Sequence, residues 1–165
     1  DYYGAINDYT KALMISPNFA NAYYDRGISK HNLKDYNGAI SDYTKAIELN
    51  PNFANAYNNR GLSKHNLKDY NGAISDYTKA IELNPNNALA YYNRGISKDD
   101  LKDYYGSISD YTKVIELNPN DVDAYVNRGA SKEILGDLNG ACADWKKAAE
   151  LGDTDAAGWV ANQCN

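Results

Sequence analysis

Apolar residues recur at intervals of three and four along most of the chain. In one segment they are Tyr70, Ala73, Ile74, Tyr77, Ala80 and Ile81. This spacing places them on one side of an α-helix. Asp69 is suited to cap the start of that helix, and Asn84-Pro85 ends it, because the residue before proline avoids the helical conformation. The pattern therefore predicts a helix over 70–83, and a similar stripe predicts a shorter helix over 54–66.

The whole pattern repeats every 34 residues. The four prolines keep this period, and so do four of the glycines and 12 of the 16 tyrosines. Residues 20–53 and 54–87 differ at only four of 34 positions. A period of this length is typical of a repeat array, in which no unit buries its apolar face alone and neighbouring units must stack.

The repeated unit resembles the tetratricopeptide repeat (TPR). One unit carries the motif residues Tyr57, Gly61, Ala73, Tyr77, Ala80 and Pro85, and most of these columns recur in the units on either side. The resemblance implies an all-α fold, a TPR α-solenoid in which antiparallel helix pairs wind into a right-handed superhelix. It also implies that the first helix of each pair lines a concave groove.

The sequence predicts one array over residues 1–165. Its repeats are 20–53, 54–87, 88–121 and 122–152. Residues 1–19 match the second helix of a repeat whose first helix is missing, so the chain is interpreted as a fragment of a longer protein. Tyr2, Tyr3 and Ile6 would pack on that missing helix, so we expect them to be exposed or covered by another chain. The open N-terminal face is therefore a candidate surface for self-association. Residues 153–165 resemble the C-terminal capping helix of bacterial-type TPR arrays, which covers the last apolar face.

The copies differ from one another mainly in their first helices, in columns that face the groove in the TPR family. The differences therefore fall where a ligand would lie, and we predict a protein–protein interaction scaffold that binds an extended peptide or partner segment. The predicted groove residues are Tyr24, Asp25, Ile28, Asn59, Leu62, Tyr92, Asn93, Ile96, Asp99, Val126 and Asn127. The alternative is sequence drift at exposed positions that packing does not constrain.

One groove column holds Asp25, Asn59, Asn93 and Asn127. A side-chain amide offers both a donor and an acceptor, which suits a peptide unit of any sequence. Some TPR proteins use a similar asparagine ladder to bind the backbone of an extended peptide. The alternative is that these asparagines form hydrogen bonds within the array.

The charge distribution bears on the partner. The formal net charge of −5 argues against nucleic acid. With a mean hydropathy of −0.70 and no apolar run near the roughly 18 residues that span a bilayer, no membrane partner is expected. Residues 1–87 carry nine basic and nine acidic side chains, whereas residues 88–165 carry eight and thirteen. A protein or peptide ligand with a basic segment should prefer the second half; the alternative is a solvated acidic surface.

One known ligand class of the family is not expected here. TPR domains that bind the C-terminal carboxylate of heat-shock chaperones place Lys, Asn and Arg at set groove positions. In this chain one matching column holds Tyr24, Asn58 and Tyr92. The other holds Ile28, Leu62 and Ile96. The carboxylate clamp is therefore absent.

An arginine recurs beside the motif glycine of every repeat. The column comprises Arg26, Arg60, Arg94 and Arg128, and an aspartate recurs in every second helix. A repeated Arg–Asp ion pair between the two helices is the expected arrangement, because the guanidinium can make two parallel bonds to a carboxylate.

The two cysteines lie at equal distances from a predicted turn. Cys142 and Cys164 are each 11 residues from Asp153, and residues equidistant from the turn of an antiparallel helix pair face each other. A disulfide that fixes the capping helix is one interpretation, and two buried thiols are the other. The disulfide would indicate a periplasm or similar oxidising compartment; without it the expected compartment is the cytoplasm.

No enzyme signature is present in the sequence, and neither a cofactor nor a metal is expected. There is no phosphate-binding loop and no nucleophile with a base at a workable spacing. His31, His65, Asp99 and Glu133 share one column, but adjacent helices lie about 8–10 Å apart, too far for two imidazoles to hold one ion. Two other hypotheses remain open: an architectural, self-associating module, and the regulatory domain of a larger protein.

Overall fold

The computed structural model describes residues 1–164, which form ten α-helices and no strand. The helices are α1 (Tyr2–Ile15), α2 (Ala20–Asn32), α3 (Tyr36–Leu49), α4 (Ala54–Asn66), α5 (Tyr70–Leu83), α6 (Ala88–Asp100), α7 (Tyr104–Leu117), α8 (Val122–Ile134), α9 (Leu138–Glu150) and α10 (Thr154–Gln163). The all-α prediction is confirmed. Helices α4 and α5 begin and end at the residues that the sequence pattern predicts.

The helices group into two compact units. In residues 1–87, α2 pairs with α3 and α4 with α5, while α1 packs on α2 and α3 on α4. In residues 88–164, α6 pairs with α7 and α8 with α9, while α7 packs on α8 and α10 on α9. Each pair has the helix–turn–helix form of one repeat.

Short polar motifs fix where the second helices begin. Asp69 caps α5 by accepting a hydrogen bond from the backbone N–H of Gly72 at 3.0 Å, which satisfies one of the free donors at the helix start. The turn before it bends through Lys68, which adopts a left-handed backbone (φ 63°). The corresponding residue before α9 is Gly136 (φ 84°), and only glycine adopts this conformation without steric cost.

The tyrosine and glycine columns meet where the two helices of a pair cross. Tyr77 is fully buried, and a Cβ added at Gly61 would lie 2.8 Å from its Cε1 atom. Gly129 and Trp145 have the same relation in the last pair. The motif glycine is therefore required because an aromatic ring occupies the space of its side chain.

The predicted Arg–Asp ion pair is confirmed, and a lysine joins it. The Nε and Nη2 atoms of Arg26 donate to the two carboxylate oxygens of Asp42 at 2.9 and 2.7 Å. Lys30 places its Nζ atom 2.7 Å from Asp42 Oδ2. The same triad recurs as Arg60–Asp76–Lys64, Arg94–Asp110–Lys98 and Arg128–Asp144–Lys132. The aspartate is buried, so its charge is compensated by two cations rather than by water.

Helix α10 covers the apolar face of α9. Ala156 of α10 is buried in one cluster with Trp145, and the Trp159 ring packs 5.4 Å from the Trp145 ring, centroid to centroid. The structure joins Cys142 and Cys164 in a disulfide, with their Cα atoms 5.6 Å apart. The covalent bond ties the end of α10 back to α9.

Helix α1 exposes several large apolar side chains. Tyr2 and Tyr3 are exposed, as expected for this face, whereas Ile6 is partly buried. Met14 and Ile15, at the end of the helix, are 82% and 84% exposed.

Candidate functional site

The predicted groove residues all lie on the first helices of the repeats. In residues 1–87 they are Tyr24, Asp25 and Ile28 on α2, and Asn59 and Leu62 on α4; in residues 88–164 they are Tyr92, Asn93, Ile96 and Asp99 on α6, and Val126 and Asn127 on α8. Every one of them is partly buried. A partly buried side chain is both held by its neighbours and accessible to a ligand.

A cleft of about 240 Å³ lies between α2 and α4, and we call it the α2–α4 cleft. Its walls are formed by Ile28, His31, Asn32, Tyr43, Asn59 and Leu62. The Nδ1 atom of His31 lies 2.8 Å from the Oγ atom of Ser63. Burial lowers the pKa of His31, so the imidazole is neutral at pH 7 and the cleft is uncharged.

A second cleft, of about 420 Å³, lies between α6 and α8, and we call it the α6–α8 cleft. It is lined by Ile96, Asp99, Asp100, Tyr104, Tyr111, Asn127, Ala130, Ser131 and Ile134. The Tyr111 hydroxyl donates to Asp99 Oδ2 at 2.7 Å, and the Ser131 hydroxyl donates to Asp99 Oδ1 at 2.9 Å. Burial, with the hydrogen bond to Asp99 as a second cause, raises the pKa of Tyr111, so this phenol remains a donor.

The two clefts are built from the same columns of the repeat. Each residue of the first cleft corresponds to the one two repeats further on: Ile28 to Ile96, His31 to Asp99, Asn32 to Asp100, Tyr43 to Tyr111, Asn59 to Asn127, and Leu62 to Ala130. The exchanges of His31 and Asn32 for two aspartates make the second cleft acidic. The exchange of leucine for alanine removes side-chain volume from its wall.

Two asparagines of the ladder, Asn59 and Asn127, are held by tyrosines of the preceding repeat. Asn59 Nδ2 donates to Tyr24 Oη at 3.0 Å, and Asn127 Nδ2 donates to Tyr92 Oη at 2.9 Å. Each bond uses one of the two amide hydrogens. Asn59 Oδ1 also accepts a hydrogen bond from Asn58 Nδ2 at 3.2 Å. The alternative of bonding within the array therefore applies to one donor of each amide and to one acceptor position of Asn59, and these bonds fix the orientation of both side chains.

Tyr24 and Tyr92 contact other side chains of the array as well as solvent. The Tyr24 ring packs 4.7 Å from Phe53 and 5.9 Å from Tyr43, centroid to centroid. Tyr92 also lines a third cleft, of about 240 Å³, with Ala88, Leu89, Asp121 and Asp123. Asp123 therefore adds a further acidic group to the first helices of the second unit.

Five predicted groove residues line neither main cleft: Tyr24 and Tyr92, described above, and Val126, Asp25 and Asn93. Val126 packs against the cluster that contains Trp145, between α8 and α9. Asp25 is partly buried, and burial raises the pKa of its carboxyl. Asn93 has polar contacts of its own.

Sequence reasoning missed the residues that support the two clefts. Ser63 and Ser131 are buried and hold His31 and Asp99 in place. A signal was present, because a serine recurs two residues after the motif glycine in every repeat: Ser29, Ser63, Ser97 and Ser131. Tyr104 belongs to a repeated tyrosine column, which indicated packing and not a cleft, and no comparable signal marked Ile134, whose column otherwise holds Asn32, Asn66 and Asp100.

Within residues 1–164, no group of three or more His, Cys, Asp or Glu side chains is arranged to hold a metal ion. In the same part of the chain, no helix has the length and apolar character needed to cross a membrane.

Comparisons with known proteins identify the repeat. The tetratricopeptide repeat profile matches residues 20–53, 54–87 and 88–121, and a second tetratricopeptide repeat profile matches residues 110–143. A search of curated proteins gave no match.

Several solved structures have a similar fold. The protein in the crystal structure of MamA shares 30% sequence identity with this chain. The two structures match with a TM-score of 0.90, over 95% of this chain and 92% of that chain. The first TPR of Spaghetti (RPAP3) bound to the HSP90 peptide SRMEEVD is 28% identical, with a TM-score of 0.70 over 71% of this chain and 93% of that chain. YrrB, described as a TPR protein with an unusual peptide-binding site, shares the fold at 23% identity and a TM-score of 0.85, over 98% of this chain and 84% of that chain. From its repeated motif, its helix pairs and these matches, the chain belongs to the tetratricopeptide repeat family.

Proposed function

We propose that this chain is a protein-interaction scaffold that binds an extended peptide segment of a partner protein on its first helices. The observation that carries the proposal is the recurrence of one cleft, built from the same columns, in both units of the chain. Recurring sites at repeat spacing suit a ligand that is itself a chain. A structural relative, the first TPR of Spaghetti, is bound to a peptide, which supports this class of ligand.

The polar group in each cleft suits a peptide backbone. Asn59 and Asn127 each have an amide oriented by a tyrosine hydroxyl, so a ligand would not have to immobilise that side chain on binding. A peptide unit presents one N–H and one C=O, which a side-chain amide can satisfy together. Preorganised groups of this kind reduce the entropy cost of association.

The ligand that we propose differs from a chaperone C-terminus. The clamp columns hold Ile28, Leu62 and Ile96 rather than basic residues. In residues 88–164 the groove side chains include Asp99, Asp100 and Asp123. These carboxylates would repel an acidic peptide and attract a basic segment.

The test begins with a phage-displayed library of random dodecapeptides selected on the immobilised full chain. The affinity of an enriched peptide is then measured for wild type and for Asn59→Ala/Asn127→Ala, with circular dichroism to show that helicity is kept. We expect the double variant to bind about thirtyfold more weakly, because it loses two hydrogen bonds of about 1 kcal/mol each. Unchanged affinity would remove the asparagines from the site, and a library that enriches no peptide would reject peptide binding itself.

A second candidate function is self-association through α1. Tyr3, Met14 and Ile15 are 74%, 82% and 84% exposed on this helix, and adjacent apolar side chains in water favour burial against another surface. Sedimentation of wild type and of Met14→Lys/Ile15→Lys over a range of concentrations tests it. A dimer that the double variant abolishes supports the candidate, and a wild-type monomer at high concentration rejects it.

A further inference from the structure

We propose that the α6–α8 cleft is a subsite for one cationic side chain, lysine or arginine, of the bound peptide. This inference rests on the proposed function and specifies its ligand. The first support is the charge of the walls: the cleft contains the carboxylates of Asp99 and Asp100, and the described residues that line it include no basic side chain. A cation entering the cleft would meet the Asp99 carboxylate, and the lining residues include no lysine or arginine that would repel it.

The Asp99 carboxylate is held in place before any ligand arrives. Tyr111 and Ser131, its two hydrogen-bond donors, are 1% and 2% exposed, so neither is free to rotate into solvent. A carboxylate has about four acceptor positions on its two oxygens, and these two bonds occupy one on each oxygen. The carboxylate therefore retains acceptor capacity in a fixed orientation, as a charge-assisted bond to an ammonium or guanidinium requires.

The other walls suit the aliphatic part of such a side chain. Ile96, Ala130 and Ile134 contribute apolar surface to the same cleft, and Ile134 is 59% exposed. Lysine and arginine bury their methylene stems along apolar surface while the charged group reaches a polar partner. The volume of about 420 Å³ lies within the range of about 300–1,000 Å³ that is usual for ligand pockets.

The α2–α4 cleft supplies an internal comparison. It has isoleucine, tyrosine and asparagine in the same columns, but the aspartate is replaced by His31 and no carboxylate lines it. The buried serine of that cleft contacts the imidazole instead. Only the second unit therefore carries the acidic form of the site, and the two clefts would select different side chains from one ligand.

The test uses a small probe, Nα-acetyl-lysine methylamide, titrated into the full isotope-labelled chain and followed by NMR. The matched neutral probe is Nα-acetyl-norleucine methylamide, which has a stem of similar length without the charge. We expect the lysine probe to shift the signals of Ala130, Ser131 and Ile134 in a saturable way. Its affinity should exceed that of the norleucine probe by about two- to fivefold, the effect of one favourable ion pair.

Two variants separate the subsite from general electrostatics. Asp99→Asn keeps the shape of the side chain and an acceptor oxygen. It should bring the affinity for the lysine probe most of the way down to that for the norleucine probe, because only the Asp100 carboxylate remains in the cleft. Asp155→Asn removes the same charge from an exposed position on α10 and should leave the lysine probe unaffected. Equal affinity for the two probes, or equal losses in the two variants, would overturn the subsite.

The peptide library distinguishes failure of the subsite from failure of the proposed function. Enriched peptides with a basic residue at one fixed position support the subsite when Asp99→Asn removes that preference. Enriched peptides without a basic residue at any position overturn the subsite and leave peptide binding intact. A library that enriches nothing, together with Asp99-dependent binding of the lysine probe, rejects peptide binding and supports the subsite.

Discussion

A buried carboxylate between two cations is the residue-scale feature on which each helix pair depends. Asp42 is 3% exposed and bonds to both Arg26 and Lys30. Replacing it with alanine leaves two cations in a partly buried site without a counter-charge. We expect Asp42→Ala to lower the free energy of unfolding by about 3 kcal/mol, measured by urea denaturation.

The same column provides the control for that substitution. Asp8 of α1 is 80% exposed at the side chain, and its partner Lys11 lies 3.8 Å away. Exposed pairs of this kind contribute little to stability, so Asp8→Ala should leave the urea midpoint unchanged. Equal effects at Asp8 and Asp42 would mean that the loss comes from the helix and not from the buried triad.

A glycine substitution tests the close contact between paired helices. A Cβ at Gly61 would lie 2.8 Å from Tyr77 Cε1, whereas a Cβ at Gly158 would meet nothing within 4 Å. Gly61→Ala should destabilise the chain by about 1–3 kcal/mol through overpacking. Gly158→Ala should stabilise it by about 0.5–1 kcal/mol, because alanine is the better helix former. Thermal unfolding measures both, and stabilisation by Gly61→Ala would contradict the packing described.

The contacts that could be predicted from the sequence are those between residues that recur at one spacing in every repeat. Arg26 and Asp42 lie 16 residues apart in every repeat, so a conserved spacing within the chain pointed to their pairing. The bond from Asn59 to Tyr24 joins residues 35 apart on two first helices, and it depends on how those helices pack. Local pattern has no information on that geometry, which is why the sequence left the asparagines with two interpretations.

At the scale of elements, local signals determined the helix ends. The aspartate caps and the Asn-Pro pairs act within one turn of the backbone, and α5 accordingly runs from Tyr70 to Leu83 as predicted. The left-handed turn residues Lys34, Lys68 and Lys102 gave no such signal. Lysine has no preference for that conformation, so only the packing of the flanking helices imposes it.

The attachment of the capping helix α10 to α9 can be tested by removing the disulfide. Helix α10 has one buried residue, Ala156, and its end is tied to α9 by the Cys142–Cys164 disulfide, which spans 22 residues. Cys142→Ala/Cys164→Ala should lower the free energy of unfolding by about 3 kcal/mol. It should also increase hydrogen exchange in α10 more than in α4.

Thiol titration provides the corresponding check on the wild-type chain. Without reductant, we expect no reactive thiol either before or after denaturation, because both sulfurs are in the bridge. Two reactive thiols after denaturation would contradict the disulfide and would return the cysteines to the alternative of buried free thiols.

Across the whole molecule, the acidic side chains are concentrated in the second half of the chain. Residues 88–165 carry thirteen acidic side chains against eight basic ones, and two of the acids line the α6–α8 cleft. The sequence predicted that the first helices vary where a ligand would lie. It could not predict the clefts themselves, because their walls combine those variable residues with packing tyrosines and serines from fixed columns.

Titration calorimetry with a library-selected peptide shows whether a peptide binds in the two clefts. Leu62→Trp/Ala130→Trp would fill both clefts, while Lys45→Trp/Lys113→Trp adds the same groups to α3 and α7 as a matched control. All three proteins should first show the same helicity. We expect filling the clefts to weaken binding by at least about tenfold, roughly 1.4 kcal/mol, and the control variant to bind like wild type. Wild-type affinity in the cleft-filled variant, or an equal loss in the control, would contradict binding in the clefts.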